Sequence, residues 1–239
     1  MVVDLIELLD EESMPAFGGF WPRWRQALRG AAVRGVLCFG PNQGRRVAYA
    51  SPSWWLSDVV LPDPDQAQLT LLRAYLTAYG PATPEHLARW LATSPAWTKE
   101  LFARADLDEV ELGGGLAWVW RGDLTFEAGP PPVVRLLPYF DAFQVGSQPR
   151  GLLFPGRASE RALARSQAGN YPVLLLDGVV GGVWHQKRTG KKVAITVEPL
   201  GRITKAQRAA LEVEAQRIGE IVEARPELTL GPISVGPHA

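Results

Sequence analysis

Six arginines, Arg23, Arg25, Arg29, Arg34, Arg45 and Arg46, lie between Ser13 and Ser57, a stretch with no Asp or Glu. Guanidinium groups without local carboxylates need counterions, and the chemistry they suit is the binding of phosphate oxygens. On a helical wheel Arg23, Gln26 and Arg29 fall away from Trp24 and Leu28, so they can face a duplex while the apolar residues hold a core. Arg45 and Arg46 follow a turn, where a hairpin tip would reach along a nucleic-acid backbone. A second basic group, Lys187, Arg188, Lys191 and Lys192, surrounds a Thr189-Gly190 turn, and no acid occurs between Asp177 and Glu198. A β-ribbon tipped in this way can press on a backbone, although lysine also protects exposed strands from edge pairing. Residues 66–121 carry five basic against six acidic residues. Thr98, Lys99 and Arg104 are its weaker candidates for contact.

The elements that must position these side chains follow from periodicity. Leu69, Leu72, Leu76 and Tyr79 recur at helical spacing over residues 66–79, and Gly80 ends the run. Thr83 with Pro84 and Ser94 with Pro95 are two N-cap and first-position pairs, each opening a helix. Leu87, Trp90 and Leu91 should turn inward from the first, and Trp97, Leu101 and Ala105 from the second. Val110 and Leu112 then alternate with charged residues before Gly113-Gly114-Gly115 and a strand from Leu116 to Trp120. Helix, helix, helix, hairpin is the order of a winged helix-turn-helix, a module that usually binds DNA.

Residues 1–60 read as an incomplete copy of it. A helix begins near Pro22, and strands 36–39 and 47–50 flank a turn at Pro41-Asn42-Gln43-Gly44. Leu61-Pro62-Asp63-Pro64-Asp65 is the expected linker and Gly129-Pro130-Pro131-Pro132 the second boundary. The expected division is 1–60, 61–128 and 129–239. In the last part, Val133 to Leu137, Pro172 to Leu176, Val179 to His185, Lys191 to Val197 and Leu228 to Val235 read as strands. Ser159 to Ala168 is a short helix, and the capping box of Thr204 and Gln207 opens a long one carrying Leu211, Ala215, Ile218 and Val222. The fold class expected is α+β: tandem winged-helix modules, the first incomplete, followed by a small mixed α/β C-terminal domain.

Composition sets the outer limits. The chain has 239 residues, 46% hydrophobic content and nine Trp, enough for two or three small cores. Charge is balanced at 25 basic and 25 acidic residues, so any nucleic-acid face is local. One cysteine, Cys38, read as a buried thiol, and three scattered histidines argue against disulfides or structural zinc. No stretch has the apolar length of a membrane span, and Met1 to Glu12 is acidic, unlike a secretion signal. A cytoplasmic protein without cofactor or metal is expected, its oligomeric state open. Phosphate loops, G-x-G-x-x-G, G-x-S-x-G and H-E-x-x-H are all missing. Asp141, between aromatic residues, is either a carboxylate of raised pKa or a turn and capping residue.

Four ordered segments carry a family resemblance: Tyr79-Gly80-Pro81-Ala82-Thr83 with Ala88-Arg89-Trp90, then Arg135-Leu136-Leu137-Pro138-Tyr139-Phe140-Asp141, then Asp177-Gly178, then Gly182-Val183-Trp184. Together they resemble the AlkZ/YcaQ-like family of winged-helix DNA glycosylases, over about Gly35 to Glu223. The resemblance implies a concave basic surface for double-stranded DNA and cofactor-free cleavage of the N-glycosidic bond of alkylated or crosslinked bases. It also implies a catalytic glutamine motif in an N-terminal module, which this chain is expected to lack. Gln66-Ala67-Gln68 has the right spelling before the wrong helix, and no catalytic residue is assigned. The expected function is a DNA-binding protein whose phosphate contacts are Arg23, Arg25, Arg29, Arg45, Arg46, Lys187, Arg188, Lys191 and Lys192. The alternatives are an active base-excision glycosylase and a protein-interaction winged-helix module.

Overall fold

A computed structural model of the chain describes residues 13–16, 19–22, 24–54, 56, 60, 62–125, 129–163 and 171–236, with the backbone alone over 13–27. It divides into two compact units, Met1–Asp63 and Pro64–Ala239. The segments expected as 61–128 and 129–239 lie together in the second.

In the first unit, β1 (Ser13–Ala16) and β2 (Gly19–Pro22) form an antiparallel hairpin that sequence did not suggest. Helix α1 (Trp24–Val33) follows, with Leu28 and Ala31 half-buried and Arg29 exposed, as the wheel requires. Strands β3 (Cys38–Gln43) and β4 (Arg46–Ala50) pair antiparallel, Phe39 opposite Tyr49 with their rings stacked 5.4 Å apart. The turn is Gly44-Arg45, two residues later than expected. Gly44 supplies a φ of +64°, while Pro41 and Asn42 are absorbed where the register slips between Gly40 and Gln43. Cys38 is half-buried rather than buried, and its Sγ donates to the Ala50 carbonyl at 3.5 Å.

The second unit begins with α2 (Pro64–Tyr79), α3 (Pro84–Leu91) and α4 (Pro95–Arg104), then β5 (Leu107–Leu112) and β6 (Gly115–Trp120). Thr83 accepts from the His86 amide and Ser94 from that of Ala96, so both caps act as read. Leu72, Tyr75, Leu76, Leu87, Leu101 and Phe102 make the core. Ala82 exchanges both backbone hydrogen bonds with Trp118, which fixes the hairpin to the helices. Trp90 departs from expectation. It is 41% exposed, lying beside Tyr75 and Tyr79 with centroids 5.3 and 5.9 Å away, and the smaller Ala88 takes the buried position.

Beyond it, a five-stranded sheet runs in the order β11-β10-β9-β8-β7, from β7 (Val134–Leu137), β8 (Val173–Leu176), β9 (Val179–Thr189), β10 (Lys192–Pro199) and β11 (Arg225–Leu230). All neighbours are antiparallel except β10 and β11, whose parallel pairing requires the crossover helix α8 (Lys205–Ile221). The capping box is present, Thr204 Oγ1 accepting from the Gln207 amide at 3.1 Å and Gln207 Oε1 from that of Thr204 at 2.9 Å. Helix α8 packs Leu211, Ala215 and Ile218 on one sheet face. The other is covered by Leu153, Phe154, Ala158 and Ala162 from α6 (Arg150–Leu153), α7 (Arg157–Ala162) and the turn between them. A further short helix, α5 (Ala142–Gly146), precedes these. Helix α7 ends earlier than expected, residues 164–170 lie outside the described set, and the last strand starts three residues before Leu228.

Two carboxylates fasten this domain. Glu198 accepts two bonds of 2.9 Å from Arg161 and one of 2.7 Å from the Ile233 amide, and Arg161 lies 4.2 Å over the Tyr171 ring. Burial pushes Glu214 up, yet the Arg217 guanidinium and the Leu136 amide outweigh it and leave its carboxyl below its ordinary value. Arg161 holds the Glu198 carboxyl low as well. A carboxyl lowered by folding contributes stability above its unfolded pKa, near 4.5 for both, and that contribution is lost as pH falls through the lower folded value. Glu198→Gln should therefore lower stability at pH 7 by about 2 kcal/mol and flatten the decline below pH 4.5, read from urea midpoints across pH.

Candidate nucleic-acid interface

The basic side chains proposed from sequence fall on both units. Arg23 lies outside the described residues, and of Arg25 only its place on α1 is described. Arg29 is exposed on α1 and Arg34 just past its end, Arg45 and Arg46 at the tip of the β3–β4 hairpin. Among the described residues none of these four has a carboxylate partner.

In the second unit, β9 and β10 form a ribbon whose tip is Lys187 to Lys192, with Arg188 opposite Val193 and Lys187 opposite Ala194. All four cations are exposed. Lys192 is not free: its Nζ donates to Glu227 Oε1 at 2.7 Å, because β11 runs parallel beside β10 and brings an acid 35 residues away in sequence to the ribbon. Arg188 Nε donates to the Gly190 carbonyl at 3.1 Å, bending its guanidinium over the turn. Lys187 and Lys191 have no carboxylate partner among the described residues.

The three-helix module behaves differently. Thr98 is fully buried, its hydroxyl donating to the Pro95 carbonyl at 3.0 Å, so it cannot touch a ligand. Lys99 pairs with Glu85 at 3.1 Å, and Arg104 with Asp65 at 2.8 Å and Gln68 at 2.6 Å. Arg121 is held by Asp106 and Asp108. Lys99, Arg104 and Arg121 are thus neutralised within the molecule, whereas Arg73 lies over the Trp120 ring and Arg89 donates to Gln148. Gln66-Ala67-Gln68 forms part of the first turns of α2, where Gln68 serves Arg104. Asp141 caps α5, accepting from the Phe143 amide at 2.9 Å.

The resemblance segments converge structurally. Trp184 Nε1 donates to the Leu137 carbonyl at 2.8 Å. Asp177 and Gly178 form a turn with φ of +51° and +88°, and the Asp177 carboxylate accepts from the Val133 amide at 2.8 Å. A side chain at Gly182 would come within 2.6 Å of the Glu198 carbonyl oxygen. Tyr79 donates to the Ala142 carbonyl at 3.1 Å and lies against Gly146, where a Cβ would stand 2.5 Å from the ring. Between these elements is a cleft of about 260 Å³ lined by Tyr79, Leu112, Phe143, Ser147, Gln148 and Val179. Among the described residues no group of three His, Cys, Asp or Glu is placed to hold a metal ion, and no helix is long and apolar enough to cross a membrane.

A family model described as DNA glycosylase AlkZ-like matches residues 4–221, so the agreement extends across both units. The chain belongs to the AlkZ-like DNA glycosylase family. It is 35% identical over 170 residues to the interstrand DNA cross-link repair glycosylase of Streptomyces sahachiroi, covering 67% of this chain and 46% of that protein. The solved structure of Streptomyces sahachiroi DNA glycosylase AlkZ matches with a TM-score of 0.69 at 30% identity, over 87% of this chain and 58% of that one. The chain spans about half the length of these AlkZ-like relatives. Its mixed α/β architecture agrees with that of the solved AlkZ.

Sequence reasoning missed the Glu227 partner of Lys192 and the Arg161–Glu198 clamp, both of which depend on strand order rather than on local spacing. Burial of Thr98 carries a direct consequence. Thr98→Arg should not strengthen binding to nucleic acid but should lower stability by about 3 kcal/mol through an unpaired buried charge, whereas Lys99→Ala should cost under about 1 kcal/mol. Urea unfolding of the two variants checks this.

Proposed function

We propose that this AlkZ-like chain binds double-stranded DNA, its backbone phosphates contacted by Arg23, Arg25, Arg29, Arg45 and Arg46 and by the ribbon carrying Lys187, Arg188 and Lys191, with Lys192 engaged by Glu227. The observation that carries the reading is the contrast in charge satisfaction. Lys99, Arg104 and Arg121 of the three-helix and hairpin module are engaged by Glu85, Asp65, Asp106 and Asp108, while Arg29, Arg45, Arg46, Lys187 and Lys191 have no acid partner among the described residues. Charges left uncompensated on exposed helix and hairpin surfaces suit a polyanion. The helix, helix, helix, hairpin order with its Ala82–Trp118 bridge supports a winged-helix reading of residues 64–120, with the module orienting its neighbours rather than lying on the duplex itself.

Base excision is the second reading, favoured by family membership and by the relative named as a cross-link repair glycosylase. Gln68 is not assigned a catalytic part, since its amide oxygen accepts from Arg104. Incubation with alkylated duplex followed by alkaline cleavage at abasic sites decides it: strand breaks that grow with protein concentration support excision, and none at stoichiometric protein rejects it.

Binding is tested by salt. With the five cations that lack an acid partner each on one phosphate, log K should fall against log salt with a slope at least as steep as about −4.5, and Arg45→Ala with Arg46→Ala should make it shallower by about 2. Fluorescence anisotropy of a labelled duplex measures both; a slope near zero rejects the phosphate-contact reading.

A further inference from the structure

The junction between α3 and the α5–α6 segment holds cations that the duplex reading above does not use. Arg89, on the exposed side of α3, donates through Nη1 to Gln148 Oε1 at 3.2 Å. Two residues beyond Gln148 stands Arg150, half-buried, its guanidinium turned onto the carbonyls of Gln144 and Val145 near the end of α5. Those bonds engage only part of each guanidinium, leaving several N–H donors on both. No carboxylate balances either group among the described residues, since Glu85, one turn before Arg89, is taken by Lys99. Burial, and then the charge of Arg89, push the Arg150 pKa below its ordinary value, the signature of a cation short of an anion.

We infer that Arg89 and Arg150 form a binding site for a phosphate group at this junction. Gln148 orients Arg89 and the α5 carbonyls orient Arg150, so the donors are arranged before the anion arrives. The phosphate belongs either to a DNA backbone, in which case the inference rests on the duplex reading, or to a free phosphate compound, in which case it does not.

Two measurements on the full chain separate these sources. In thermal unfolding at constant ionic strength, inorganic phosphate replaces chloride for the unsubstituted protein, Arg89→Gln and Arg89→Lys. General exclusion of phosphate from protein surfaces raises Tm equally in all three. Site binding adds a saturable rise in the unsubstituted protein and in Arg89→Lys, which shrinks at least fivefold in Arg89→Gln. The duplex salt titration is the second arm, where a DNA phosphate at the site makes the slope for Arg89→Gln shallower by about 1. A saturable rise with an unchanged slope supports a free phosphate ligand, and a changed slope alone supports the DNA backbone. If Arg89→Gln matches the unsubstituted protein in both arms, the site is rejected. Failure of the unsubstituted protein to bind duplex sinks the duplex reading, while the thermal arm still decides the site.

Discussion

Strand β9 is the element on which the second unit depends, because its eleven residues are buried at one end and exposed at the other. Val180, Gly182, Val183 and Trp184 are consecutive or nearly so in sequence yet all buried, which demands cover on both sheet faces. Helix α8 supplies it on one side and α6 with α7 on the other. The cover ends near His185, and Gln186 to Thr189 are exposed. Backbone pairing with β10 continues past that point, so the tip of the ribbon is held by its ladder rather than by a core. A charged tip then costs little, since no side chain there has to leave water. The Trp184 indole bond to Leu137 and the tight approach of Gly182 to β10 mark the place where this strand is fixed.

Charge is distributed with the same separation of tasks. Where the chain needs mechanical joints, each cation meets an acid: Arg161 with Glu198, Arg217 with Glu214, Arg104 with Asp65. The first two pairs are partly or largely buried and also accept backbone amides, so loss of either partner would strand a charge. The exposed pairs, such as Lys99–Glu85 and Lys192–Glu227, contribute little to stability, yet each neutralises a cation on the surface. Lys192 therefore stands apart from Lys187 and Lys191 although sequence groups them together.

Much of the second unit was legible because its signals are local. Thr83, Ser94 and Thr204 announce their helices through caps that involve residues no more than three positions away. The strands around Val173, Val179 and Val193 are apolar runs bounded by glycine turns, and turn chemistry of this kind survives translation into structure. Helices α5 and α6, at five and four residues, are too short to show a period, so spacing assigns no element there. Trp90 misled because helical spacing gives a face but not the depth of the groove that receives it. Of the candidate site, the identity of the basic residues was readable, whereas their freedom was not. Whether an acid stands beside Lys192 or Arg104 is decided by strand order and helix docking over 35 and 39 residues of separation.

The junction of the three-helix module with the sheet domain bears on what the charged surface can do. Tyr79 at the end of α2 meets Ala142 and Gly146, and Leu152 reaches the Gly113 turn of the hairpin, so contacts from opposite ends of the module converge on α5 and α6. Rigid attachment at more than one point limits rotation of the module against the sheet. Ligand contacts made by Arg89 on α3 and by the ribbon on β9 and β10 would then be set at a fixed separation, and a rod with regularly spaced phosphates is recognised best by donors that do not have to be ordered on binding. Glu109 and Glu111 of the acidic strand β5 are exposed on the same module, so a polyanion reaching Arg89 on α3 would meet least repulsion along an approach that keeps clear of that strand.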